Sequence, residues 1–378
     1  MKWENYFFKS GDEFPSFWNE YLTSQDRNVL FIMGMGMDPR TNNAIKSIYS
    51  IPSSGQRSTI VLRYYKYESD FGNAPTKVEQ SHIDDLMVFL EARGYSPFEE
   101  RKIIRLSDDD KSVGSINANQ LFNENDLLGY SDIVVDISAI PRGIFLPLIN
   151  KLLVLVNTWN EEQQNSRDIK NLHVVVTENP ELDSAISDKG EADEAIYIHG
   201  LGISGISKQR DYKEVWIALL GERQTKQFDL VKKDINPVEV CVVLPFPSED
   251  LRRSDKLIIE YQDYLFNEPS FDPKNIIYAD ERNPFQVYRL LYKAIKRYNK
   301  SLSILNGCKV TVSAFSSKLL TVGAFLAVFE ARLDGKSIGI KHVESLDNEL
   351  DKQVENNLKN VLDKNNLVEL WIAGIPYE

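Results

Sequence analysis

The feature that most constrains this chain is a strand-turn-helix pattern that occurs twice. VVDISAIPRGIFLPLINKLL runs from Val134 to Leu153, and VTVSAFSSKLLTVGAFLAVFEA runs from Val310 to Ala331. Each is an apolar strand that passes through a small polar turn into an apolar helix. Strands this uniformly apolar are buried on both faces, which is the condition of parallel strands covered by helices. Each turn carries one cation, Arg142 or Lys318. A strand leading through a tight turn into a helix aims backbone N–H groups and the positive end of the helix dipole outward, the physical basis of an anion site.

The rest of the chain extends the same alternation. From Asn28 the segments VLFIMGMGMDPR, STIVLRYYKY, a helix around Ile83–Ala92, KIIRL, DIVVDISAIPR and NLHVVVTENP follow one another. VEVCVVLPFP, NIIYADERNPF, CKVTVSAF and SIGIKHVES repeat the scheme further on. The expected fold is therefore α/β: two tandem Rossmann-like, mostly parallel sheets related by internal duplication. Residues 1–27, with Phe14, Trp18 and Tyr21 at helical spacing, read as an N-terminal helical extension packing on the first domain. Gly-rich connections between Pro180 and Val238 place the boundary near Asp234, giving a first domain of 28–234 and a second of 235–378. EVWIALLGE (Glu214–Glu222) and ELWIAGIPYE (Glu369–Glu378) read as matched closing segments of the two halves. The polar run Ser107–Asp126 reads as an exposed loop or loop-edge helix.

Composition narrows the function. With 44 basic against 56 acidic residues, the net charge of −12 argues against a long groove along a nucleic-acid backbone, whereas small phosphates need only a few local donors. Cys241 and Cys308 lie inside apolar strand patterns and read as buried, reduced thiols. No stretch reaches the ~18 apolar residues of a spanning helix and no targeting signal is evident, so no membrane partner and a cytoplasmic location are expected.

Ligands of open α/β sheets bind outside the carboxyl ends of the strands, near the point where strand order reverses, so the turns that follow strands hold the candidate residues. The first turn offers Gly34 and Gly36 for close backbone approach, with Asp38 and Arg40 as carboxylate and bidentate donor; a tight turn with Asp38 as helix cap is the alternative. The second offers Asp136, Ser138 and Arg142. Asp136 ends an apolar strand and needs a partner, whether the turn's own N–H groups, Arg142, a ligand or a metal. Pro141 presets the first helical turn. The third contains Pro245, Ser248, Arg252 and Arg253, either a phosphate clamp or a neutralised cluster with Glu249, Asp250 and Asp255. The fourth, Ser313, Ser316, Ser317 and Lys318, gathers hydroxyls and an ammonium at a helix start and is the preferred anion site. Asp280 and Arg282 follow a further strand; Asp280 reads as a ribose contact, an ion-pair partner or a helix cap, with Asn283-Pro284 starting the helix.

Several chemistries lack their motifs. His82, His173, His199 and His342 do not stand at metal-ligand spacing. Gly202-Ile203-Ser204-Gly205 lacks nucleophile-elbow spacing, and there is no G-x-x-x-x-G-K-[ST] loop. His173 and His342, in strands after candidate turns, read as packed residues first and general bases second.

With these residues in view, the second half resembles the CRISPR-associated Rossmann-fold (CARF) sensor superfamily, and the doubled arrangement resembles its fused relatives, the SAVED domains, which bind cyclic nucleotides. That superfamily sets a Thr-Gly-Gly-Thr-Lys-like turn between strand and helix. Here Lys318 matches the lysine, while Arg142 takes its place in the first half, Pro141 stands for a threonine, and the double glycines are absent. The resemblance implies a nucleotide or cyclic-nucleotide sensor of a bacterial antiviral system, with its ligand between the two halves and a protein partner in a defence assembly. Two alternatives stay open: a magnesium-dependent nucleotide-processing enzyme using Asp38, Asp136 or Asp280, and a non-catalytic subunit of a larger defence complex. No other cofactor is expected.

Overall fold

A computed structural model describes residues 1–163, 168–203, 212–266, 271–350, 361–362 and 366–377. In chain order its strands are β1 (Phe7–Ser10), β2 (Val29–Met35), β3 (Arg57–Tyr65), β4 (Glu99–Ile104), β5 (Asp132–Asp136), β6 (Asn171–Glu178), β7 (Ile186–Tyr197), β8 (Lys213–Leu219), β9 (Glu239–Pro245), β10 (Phe271–Ala279), β11 (Cys308–Ala314), β12 (Ile338–Leu350) and β13 (Asn366–Ala373). Its helices are α1 (Glu13–Thr23), α2 (Asn43–Tyr49), α3 (Lys77–Glu91), α4 (Gly114–Gln120), α5 (Arg142–Glu162), α6 (Pro180–Ala185), α7 (Thr225–Ile235), α8 (Arg253–Glu260), α9 (Gln262–Leu265), α10 (Pro284–Ser301) and α11 (Lys318–Leu333).

The expected α/β class with two mostly parallel sheets is present. The first sheet has the order β4-β3-β2-β5-β6-β13-β1, and the second β10-β9-β8-β11-β12-β7. The strands from β4 to β6 are parallel, and β13 and β1 add antiparallel edges. In each sheet the parallel strands stand in the order third, second, first, fourth, fifth along the chain, the doubly wound arrangement. The strand-turn-helix pattern of the sequence occupies the same place in both: β5 into α5 and β11 into α11 follow the fourth strand.

Burial explains the apolar runs. Every residue of β2 and β5 is buried, as parallel strands covered on both faces require. α11 is buried around almost its whole circumference, and Gly323 lets it approach the backbone of Pro284 in α10, where a Cβ would collide.

The boundary differs from the expected residue 234. The compact units are residues 5–186 with 350–378, and residues 1–4 with 187–349. β8, assigned by sequence to the first domain, is a central strand of the second sheet, hydrogen-bonded to both β9 and β11. β13, assigned to the second domain, pairs with β6 in the first sheet. Hydrogen-bond partners rather than chain order decide sheet membership, so the two apparent closing segments are unlike: EVWIALL forms a central parallel strand and ELWIA an antiparallel one. The N-terminal extension is more than a helix, since β1 pairs with β13, while Phe14, Trp18 and Tyr21 of α1 enter the core of the first sheet as expected. Within Ser107–Asp126, α4 buries Gly114, Ser115 and Ala118. Among the described residues no helix is long and apolar enough to cross a membrane.

Candidate functional site

At both switch points a glycine brings two turns of the protein's own backbone together. A Cβ on Gly34 at the end of β2 would meet Tyr64, the carbonyl of Ala139 and Ile140, and a Cβ on Gly221 after β8 would meet the carbonyl of Phe315. The close approach expected of Gly34 toward a ligand is thus spent on the turn after β5. Gly36 faces open space, and its carbonyl lies 2.9 Å from His82 Nδ1.

The remaining residues of the first sheet's turns are mostly engaged with one another. Arg40 is 2 % exposed; its Nε donates to Asp38 Oδ1 at 3.0 Å and Nη2 to Asp38 Oδ2 at 2.8 Å, while Nη1 reaches Asp183 Oδ1 of α6 at 2.6 Å. Burial opposes the charge, yet Asp38 and Asp183 outweigh it and hold the guanidinium charged above arginine's usual value. The pair that the sequence offers as ligand donors is engaged internally: the carboxylate grips the guanidinium, and Arg40 Nη1 ties the turn after β2 to Asp183 of α6 and to the Thr177 carbonyl near the end of β6. Asp136 Oδ1 accepts from the backbone N–H and the hydroxyl of Ser138, at 2.9 and 2.5 Å, and Ser138 Oγ accepts from Thr177 N at 2.8 Å. That is the turn-holding role among those the sequence left open. Pro141 sits at the N-cap rather than inside the first turn, leaving half-buried Arg142 as the first residue of α5.

In the second sheet the paired arginines part company. Arg253 is bidentate to Glu222, at 2.6 and 2.8 Å, and also pairs with buried Glu281, so it belongs to a neutralised cluster. Arg252 is exposed. Arg282 pairs with Glu249 at 3.0 Å rather than with Asp280, whose Oδ1 accepts the Arg282 N–H at 2.9 Å. Asn283 caps α10, as expected, by accepting from Phe285 N and Gln286 N. Pro245 accepts from Ser254 Oγ at 2.7 Å, and Ser248 Oγ donates to the Asp250 carbonyl. Ser313 is fully buried and accepts from Trp216 Nε1 at 3.2 Å, a core contact that removes it from the candidate anion site. Ser316 is buried, Ser317 caps α11 by accepting from Leu320 N, and half-buried Lys318 is that helix's first residue.

His173 is a packed residue. It lies fully buried between two carboxylates, Nδ1 2.7 Å from Glu369 and Nε2 3.3 Å from Asp132. Tyr21 donates to Asp132 at 2.7 Å, Arg27 stands 3.5 Å from it, and Trp18, Tyr21 and Trp371 close around the imidazole. Burial disfavours the imidazolium, but Glu369 and Asp132 prevail and raise the pKa to about 9. His342 stands 3.7 Å from Glu344. Cys241 and Cys308 are buried and free, their thiols pushed up to about 12 and about 11 by desolvation. Ser204 and Gly205 lie outside the described residues.

The sequence reading passed over Glu222, Glu281 and Asp183, because an acid's partner comes from another turn that only the sheet order brings near. It also passed over Phe246 and Tyr278, apolar residues at strand ends whose exposure no pattern reveals.

No family model and no curated protein matches the chain. Among solved structures, an uncharacterized protein of Listeria monocytogenes serotype 4b is similar at 9% identity over 85% of this chain and 99% of its own, with a TM-score of 0.19. A GsuK channel bound to NAD is similar at 8% identity over 82% of this chain and 64% of its own, with a TM-score of 0.16. Likenesses at these scores carry no weight for the fold or the function.

Proposed function

We propose that the protein is a recognition module for a small phosphate-bearing ligand of the nucleotide class, taken at the carboxyl ends of the strands and signalled to a protein partner. One observation carries this reading. α5 and α11, in the same topological position of their sheets, each begin on a cation and have no acidic residue in the first turn. A cation at a helix N-terminus opposes the macrodipole and costs about 0.3–1 kcal/mol; an anion beside it turns both into attraction. The same choice at the same place in both halves fits a pair of turns that take an anion.

The magnesium-dependent alternative is less well supported. Both oxygens of Asp38 accept from Arg40, Asp136 holds Ser138, and Asp280 accepts a backbone N–H. Among the described residues no three His, Cys, Asp or Glu side chains gather as a metal site would need. The resemblance to CARF and SAVED sensors extends the ligand class to cyclic nucleotides and the partner to an antiviral assembly.

Calorimetry with pyrophosphate, ADP and a cyclic dinucleotide tests this. Binding of at least one is expected, weakened about tenfold or more in Lys318→Ala or Arg142→Ala, as loss of a charge-assisted hydrogen bond implies. Heat from none of the three, or unchanged affinity in both variants, would remove the assignment. Incubation with magnesium should leave the nucleotides intact by chromatography; a product lost in Asp136→Asn would favour the enzyme.

A further inference from the structure

The exposed chemistry of the second sheet lies just outside its switch point, at the ends of β9 and β10. Phe246 is 51 % exposed and Tyr278 49 %, and with Phe266 they are the exposed aromatic residues among the described ones. Their ring centroids are 6.1 Å apart with planes at 77°, so the two rings form a corner rather than a flat patch. The backbone beneath is held on several sides. Phe246 N donates to the Ala279 carbonyl at 2.7 Å, Glu281 N to the Pro247 carbonyl at 3.0 Å, and Glu249 N to Glu281 Oε2 at 3.1 Å. A corner built on fixed turns is preorganised, so a ligand does not bear the cost of ordering it.

The charges around the corner are sorted. Arg253 is taken by Glu222 and Glu281, Arg282 by Glu249, and Lys256 by Asp250. Arg252 is exposed and its guanidinium makes no ion pair or side-chain hydrogen bond with the described residues. Two aromatic faces at an angle, with an uncommitted guanidinium in the segment that leads from β9 to α8, match a planar heterocycle carrying a phosphate better than they match a broad apolar partner surface, which needs a larger contiguous patch.

We infer that the Phe246–Tyr278 corner is the stacking platform for the base of a nucleotide, with Arg252 donating to the phosphate nearest the base. The inference rests on the reading that the strand ends take a nucleotide, and it supplies the base contact that this reading otherwise lacks. The end of β9 lies two strands from the end of β11, about 10 Å at ~4.8 Å per strand, so a nucleoside diphosphate extends from the corner toward Lys318 at the start of α11.

The test compares ADP with pyrophosphate by calorimetry on the full chain. ADP is expected to bind more tightly than pyrophosphate, and Phe246→Ala and Tyr278→Ala should each weaken ADP about 5- to 100-fold, the range that stacking on one aromatic side chain supports, while leaving pyrophosphate unchanged. Phe246→Tyr should restore ADP affinity, and Arg252→Gln, at an exposed position, gives a variant whose fold is not in question and whose ADP affinity should also fall. ADP binding that is sensitive to Lys318→Ala but indifferent to Phe246, Tyr278 and Arg252 would overturn the platform and leave the proposed function standing. Absence of ADP binding to the unaltered protein would overturn the platform, and only absence of heat from pyrophosphate and the cyclic dinucleotide as well would overturn the proposed function with it. Self-association that Phe246→Ala abolishes and ADP does not affect would assign the corner to a second copy of the chain and end the inference.

Discussion

Asp132→Ala is expected to destabilise the unit built on the first sheet by about 3–5 kcal/mol, read as a lowered urea midpoint with loss of the near-ultraviolet dichroism of its aromatic cage. Asp132 and Glu369 are fully buried, as is His173, and Arg27 is nearly so. With both carboxylates ionised and both cations protonated the group is neutral. Removing Asp132 takes one of the two carboxylates from His173, orphans the Tyr21 hydroxyl, and removes the carboxylate 3.5 Å from Arg27, whose guanidinium lies 3.6 Å from the Tyr21 ring. The penalty of an uncompensated buried charge exceeds the value of the original pair, which is why one substitution is so costly. A loss below about 1 kcal/mol would mean that water reaches the cluster when one member is missing.

The same cluster sets a pH dependence. His173 in the folded chain titrates at about 9, above the ordinary 6.5, so its contribution is full below pH 6.5 and is lost as pH rises through about 9. Asp132 runs the other way: burial raises its pKa, but His173, Arg27 and Ser131 outweigh this and hold it below the ordinary 3.8, so its contribution is present above that value and lost as pH falls through the depressed one. Burial raises Glu369 despite His173, which penalises its charged form and trims the gain at neutral pH. Stability should therefore decline between pH 7 and 10 in the unaltered protein. The decline should be shallower in Asp132→Ala, where the imidazolium has lost one of its two supporting carboxylates. Equal slopes in the two proteins would show that His173 is not the group titrating.

Much of this architecture was legible because it is written locally. The repeated strand-turn-helix runs, the buried strands and the helical spacing of Phe14, Trp18 and Tyr21 depend on neighbours within a few residues, and all appear where the pattern put them. What depends on partners far along the chain was not legible. β8 and β13 have nearly the same sequence character, and only their hydrogen-bond partners place one in the centre of the second sheet and the other beside β6. The charged turns show the same limit. Arg253 and Arg252 are adjacent and chemically alike, yet one meets Glu222, which follows β8, and Glu281, which follows β10, while the other faces solvent. Whether an arginine is a structural clamp or an available donor is decided by which strand ends become neighbours, a property of sheet order.

Gly221→Ala should accordingly cost more than Gly36→Ala although both glycines follow a first strand. Gly221 does not have a left-handed backbone; its requirement is space, because a Cβ there would lie within bonding distance of the Phe315 carbonyl and against Ser316. Backbone cannot rotate away as a side chain can, so the turn after β11 must move, and with it the Ser317 cap and the first residues of α11. Overpacking of this kind costs about 1–3 kcal/mol, and contact with backbone rather than with a side chain places it at the upper end. Gly36 has nothing within 4 Å of its would-be Cβ, so alanine there should change stability by about 0.5 kcal/mol or less. Urea midpoints of the two variants decide the matter, and the comparison reaches the binding reading as well. If Gly221→Ala shifts the start of α11, its affinity for ADP or pyrophosphate should fall together with its stability, whereas Gly36→Ala should retain both. A Gly221→Ala chain as stable as the unaltered protein would mean that the two turns do not meet at the second sheet's switch point, and the close approach that positions Lys318 would lose its basis.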